Sequence, residues 1–273
     1  MENARNDWQN HREEMWDYRA DRADQIWDNA GDFYNDVFDD HWWGAWGWGH
    51  GWHGYYHTNP WWWWVPTTIG AAATFVDALV PDPVYIDYGP GYTYPAEGSP
   101  PPEQQTIIIN NQPVPAAEST QKILDLAVNV EQSPPPLPPE EGKKAEWLPL
   151  GVFALAQQEK GDPIMFLQLS VNREGVISGA FTNVLTDDNK SVAGQVDKAS
   201  QRVAWRLGDN TDTLFETSLG NLTSDVSPVA IHFGRAQSQT WLLVRMPEPA
   251  PEGKPAAIPE IKRGVPAAKP ASK

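Results

Sequence analysis

His50, His53 and His57 follow the spacing H-x2-H-x3-H, with Asp39 and Asp40 nearby, and such a spacing can bring imidazoles onto one side of a chain. His-rich tracts of this kind can bind metal. The same stretch is crowded with indoles: nine of the 15 tryptophans and four of the six histidines lie within residues 41–64. Indole faces stack on flat apolar faces, so a carbohydrate or polymer surface is a second reading. A third is a self-associating structural segment in which the aromatics supply adhesive area. Glycine at nearly every second or third place between Gly44 and Gly54 opposes a regular helix. The three readings stay open.

Chemistry elsewhere is sparse. The chain has no cysteine, which excludes a disulfide framework, a thiol nucleophile and cysteine-based zinc or iron–sulfur sites. His232 is the only histidine beyond His57. Alternation along Val229–Phe233 points it away from Val229, Ile231 and Phe233, so a solvated, outward side chain is expected. No second histidine or cysteine stands near it to complete a triad or a metal set. Phosphate loops and G-x-S-x-G elbows are absent. A non-enzymatic protein without cofactor is therefore expected. The net charge of −16 argues against nucleic acid, which requires a basic face.

Proline and charge mark out the elements that must position these groups. Only Pro149, Pro163 and Pro228 of the 26 prolines fall within 147–246. That stretch reads as an antiparallel β-domain, and the proline-rich stretches around it read as linkers and a Pro/Ala/Lys tail at 247–273. Eight runs of period two are separated by turn signals: 148–156, 164–171, 176–184, 191–197, 202–207, 213–217, 229–233 and 240–245. The connections are too short for helical crossovers. The expected topology is an eight-stranded antiparallel up-and-down meander, closed as a barrel or stacked as a sandwich.

The front half is organised differently. Residues 1–40 hold apolar positions at Trp8, Met15, Trp16, Ile26, Trp27, Ala30, Phe33, Tyr34, Val37 and Phe38, spaced as one face of an acidic amphipathic helix. Arg12, Arg19 and Arg22 are expected on the opposite, solvated face. Residues 41–82 combine the Trp/Gly/His tract with a short apolar helix around Ile69–Val76. The apolar stretch is too short to span a bilayer. Within 83–146, Pro83–Tyr88 and Thr106–Asn110 read as a β-hairpin. Ser119–Val130 reads as a short helix, followed by Pro-rich linker.

Three stretches carry a family resemblance. They are the Arg/Asp/Trp helix with its Trp/Gly/His tract, Val84–Gly89 with Ile107–Gln112, and Trp147–Leu155 running through Phe215-Glu216-Thr217 to His232-Phe233-Gly234 and Trp241. This pattern resembles a group of uncharacterised, mostly planctomycete proteins labelled mu-protocadherin-like surface-associated proteins. The resemblance implies an exported protein, periplasmic or at the cell surface. Met1–Asp7, however, lacks the cationic start and apolar core of a signal peptide. Val203-Ala204-Trp205 and Thr240-Trp241-Leu242-Leu243 also resemble two strands of an avidin-type meander, which implies Trp205 and Trp241 as walls of a small-ligand pocket. The leading expectation is an envelope or surface interaction protein. Its β-domain would be a rigid module, and its Trp-rich segment would contact cell-wall polymer, carbohydrate or a protein partner. A ligand-binding barrel is the alternative.

Overall fold

A computed structural model describes residues 2–29, 63–65, 67–78, 82–88, 106–110, 112–131, 146–157, 162–234 and 237–248. The His/Trp tract from 41 to 62, the 132–145 linker and the tail beyond 248 lie outside the described residues. The hydrophobic alternation of 147–246 folds as an antiparallel meander of eight strands. They are β4 (Trp147–Ala156), β5 (Met165–Asn172), β6 (Val176–Asn183), β7 (Asp188–Asp197), β8 (Arg202–Leu207), β9 (Thr213–Ser218), β10 (Val226–Phe233) and β11 (Gln237–Arg245). Each strand pairs with its chain neighbour, and β11 pairs with β4 to close a barrel. Closure leaves no free edge, which disposes of the sandwich alternative.

The prolines are tolerated for local reasons. Pro149 borders a bulge, where the β4–β5 register shifts between Pro149 and Gly151. Pro228 pairs with Leu242 of β11, but the β9 ladder with β10 covers only Ala230–Phe233, so no bond to β9 is demanded of it.

The inward side chains form one apolar core that includes Phe153, Leu155, Leu167, Leu169, Phe181, Val203, Trp205, Phe215, Ile231 and Leu243. An eight-stranded barrel is just wide enough for such side chains to fill. Trp205 is fully buried in it, stacked on Phe215 with ring centroids 5.5 Å apart. Gly194 makes this possible, because a Cβ there would come within 2.5 Å of the Trp205 Cβ.

The two ends of the barrel differ. Thr68 caps the short helix α2 (Ile69–Phe75) by accepting a bond from the Ala71 N–H. Ala72 and Val76 of this segment join the barrel core, and Thr67 donates to the Pro149 carbonyl at 2.5 Å. Arg173, in the β5–β6 turn, lies over the Phe75 ring at 4.7 Å. Arg245 completes this seal by donating to the carbonyls of Leu150 (2.6 Å) and Leu222 (2.7 Å). Gly151, at φ +134°, leaves room for the guanidinium. Burial pulls the Arg245 pKa down to about 10, despite the opposing pull of the Asp225 charge. The opposite end carries the exposed apolar side chains Ile164, Val184, Leu185 and Phe233.

The outer wall is covered as well. Helix α1 (Glu2–Asp28) lays Ala23, Ile26 and Trp27 over Val152, Ala154, Leu242 and Val244, and Trp63 joins the same cluster. The Trp27 indole N–H donates to the Arg245 carbonyl at 2.8 Å. A three-stranded sheet, β1 (Ile86–Tyr88), β2 (Thr106–Ile109) and β3 (Gln112–Pro115), packs Val84, Ile86, Tyr88 and Ile107 on Ala230. The expected β1–β2 hairpin is present, and β3 extends it. Helix α3 (Ala116–Asn129) sets Ile123, Leu124 and Ala127 against Ala204 and Leu214. The placement of the arginines differs from the sequence expectation. Arg19 and Arg22 are buried against the barrel side rather than solvated, and Arg19 pairs with Asp87 at 2.7 Å. Their long stems add apolar area to the buried helix face, and a partner of opposite sign makes the charge tolerable there. Among the described residues, no helix is long and apolar enough to cross a membrane.

Candidate functional site

Even-numbered residues of β8–β10 point outward, and four of them, Arg202, Arg206, Glu216 and His232, are ionisable and buried. Glu216 pairs across the sheet with Ala204 of β8 and Ala230 of β10. These two small side chains leave space on either side of the carboxylate. Arg202, two residues before Ala204, and His232, two residues after Ala230, reach into that space as diagonal neighbours. Ser238 of β11 lies directly opposite His232.

The result is a continuous polar chain across four strands. Arg202 Nε donates to Glu216 Oε1 at 2.9 Å, and Nη2 donates to the same oxygen. Glu216 Oε2 lies 3.0 Å from His232 Nε2, and His232 Nδ1 lies 2.8 Å from Ser238 Oγ. The Tyr88 hydroxyl donates to the Glu216 backbone carbonyl at 2.6 Å, tying the small sheet to this spot. Asn221 adds a second tie, accepting from the Ile86 N–H and donating to the Ile86 carbonyl. Glu216 is 0% exposed and Arg202 1%, while Ser238 is half-buried. Burial alone would raise the Glu216 pKa; the hydrogen bond from His232 and the charge of Arg202 outweigh it and hold the carboxyl below the usual range.

His232 therefore points out of the barrel as alternation requires, but it is 4% exposed and partnered, not solvated. Alternation specifies which face of the sheet a residue takes. It carries no information about what covers that face. The cluster was detectable only as a run of outward polar residues, Arg202, Glu216, His232 and Ser238, on four successive strands.

The other candidates fall elsewhere. Trp205 is fully buried and Trp241 half-buried, both within the barrel core. Trp241 donates to Gln239 Oε1 at 2.9 Å, whereas the Trp205 indole nitrogen has no partner. His50, His53 and His57 lie outside the described residues. Among the described residues no group of three or more metal-ligating side chains converges. Comparison with known proteins adds no family: no family model fits the chain, and no curated protein or solved structure is significantly similar to it.

Proposed function

We propose that the chain is an interaction protein of the cell envelope or cell surface. The barrel is its rigid module and the Trp-rich acidic segment its contact region. The observation that carries this reading is the asymmetry of the barrel. One end is sealed by α2 and Arg245, and the interior is occupied by apolar side chains. The other end leaves Ile164, Val184, Leu185 and Phe233 exposed, as a contact surface does. Extracytoplasmic placement rests on the family resemblance of the sequence.

The test must spare the tryptophans that hold the fold, because Trp27, Trp63 and Trp64 pack on the barrel. Replacing Trp42, Trp43, Trp46, Trp48 and Trp52 by serine should release the protein from cell-wall and membrane fractions without lowering its thermal midpoint. Unchanged fractionation would contradict the reading.

The unpartnered Trp205 indole N–H favours a second reading, a small-ligand barrel with Trp205 and Trp241 as walls. A buried donor without an acceptor is costly, by about 1–3 kcal/mol, and an acceptor-bearing apolar ligand would relieve it. Titration with a small aromatic ketone should then shift the Trp205 indole proton resonance. A resonance that stays fixed up to ligand saturation of the solution would remove this reading.

A further inference from the structure

We propose that Ser238 is a nucleophilic serine, activated by His232 and oriented through Glu216, that reacts with small activated esters and related electrophiles. The inference goes beyond the interaction role and does not depend on it. It starts from the direction of the hydrogen-bond chain. Glu216 is ionised at neutral pH, so its Oε2 can only accept, and His232 Nε2 must carry the proton between them. In the neutral imidazole the other ring nitrogen, Nδ1, presents its lone pair to the Ser238 hydroxyl 2.8 Å away. This is the arrangement that nucleophilic catalysis by serine requires: nucleophile, base, and a third group fixing the base.

Burial is graded along the chain in the useful direction. The acid end is sealed, with Glu216 at 0% exposure, and is clamped by Arg202 and by Tyr88 on its backbone. The hydroxyl end is half-open, beside the exposed Gln237 at the start of β11. A dry, fixed carboxylate supports the imidazolium that forms when the base takes a proton. A half-buried serine leaves an electrophile a side from which to approach.

The step balances as follows. Ser238 Oγ adds to the ester carbonyl carbon while its proton passes to His232 Nδ1. The tetrahedral adduct collapses, the C–O bond to the alcohol breaks, and the alcohol leaves with the proton from Nδ1. Water then adds to the acyl-serine by the same route, returning the serine and releasing a carboxylic acid. Glu216 remains ionised throughout and acts as a positioning residue.

The experiment treats the folded full chain with a biotinylated fluorophosphonate and maps the adduct by peptide mass spectrometry. Ser238 should be labelled at least about 10-fold faster than any exposed serine, since general-base assistance contributes ~10²–10⁴-fold. Ser238→Ala, which leaves the Arg202–Glu216–His232 cluster intact, should remove the label while keeping the thermal midpoint. His232→Gln should slow labelling by about 10-fold or more. Should His232→Gln fail to fold, His232→Asn serves in its place, and a labelling rate at Ser238 that the replacement of His232 leaves unchanged would overturn the proposal. Labelling of Ser238 no faster than that of exposed serines would also overturn it. Envelope fractionation of Ser238→Ala should be unchanged, which separates this inference from the interaction role.

Discussion

Phe215 and Glu216 are chain neighbours on one strand, yet they anchor two unlike regions. Phe215 points inward and stacks on Trp205, in a core made of apolar area. Glu216 points outward and is buried just as deeply, in a cluster made of charge. The inner region forms from the barrel strands and the α2 plug. The outer region is dry because β1–β3, α1 and α3 cover the wall from outside. Burial inside the barrel follows from closure of the sheet. Burial outside it depends on the front half of the chain.

The largest expected effect comes from breaking the outer region. Glu216→Ala leaves the Arg202 guanidinium buried without its counter-charge and should cost about 3–5 kcal/mol in a denaturant titration. Replacing Arg202, Glu216 and His232 together by Met, Leu and Leu should recover most of that loss, because desolvation offsets the attraction in such clusters. The folded Glu216 pKa lies below its unfolded value of about 4.5, so its contribution is present above that pH and fades as pH falls through the folded value. Thermal midpoints of Glu216→Gln should therefore fall less steeply than those of the wild type below pH 4.5.

On the inner side, Trp205→Ala should cost about 3–5 kcal/mol through transfer and cavity terms, with no added pH dependence. Gly151→Ala is expected to lose more than about 1 kcal/mol, since φ +134° and the Arg245 guanidinium both exclude a Cβ. The smallest effect is Trp27→Phe. It removes the indole bond to the Arg245 carbonyl and should cost about 0.5–1.5 kcal/mol by the same titration.

The inner region was largely legible in the sequence. Alternation in Arg202–Leu207 and Val229–Phe233, with short turns, specifies strands, neighbours and the inward set. The scarcity of proline within 147–246 marks the domain. Strand ends were less legible: β10 begins at Val226 rather than Val229, because pairing with β11 continues past the end of the β9 ladder. The outer region was not legible, since it depends on contacts between residues far apart in the chain. Arg19 meets Asp87, Tyr88 meets Glu216, and Asn221 meets Ile86. No local pattern encodes these meetings, so Arg19, Arg22 and His232 read as solvated. The polar stretch Gln112–Pro115 escaped as β3 because two of its four residues are proline.

Native-state hydrogen exchange tests most directly whether barrel and covering sheet form one cooperative unit. The amides of Ile86 in β1 and of Ala230 in β10 should open with the same free energy, and Glu216→Ala should lower both equally. Rapid exchange at Ile86 beside full protection at Ala230 would contradict the account, because the covering sheet would then be a loose appendage and the charged cluster beneath it wet.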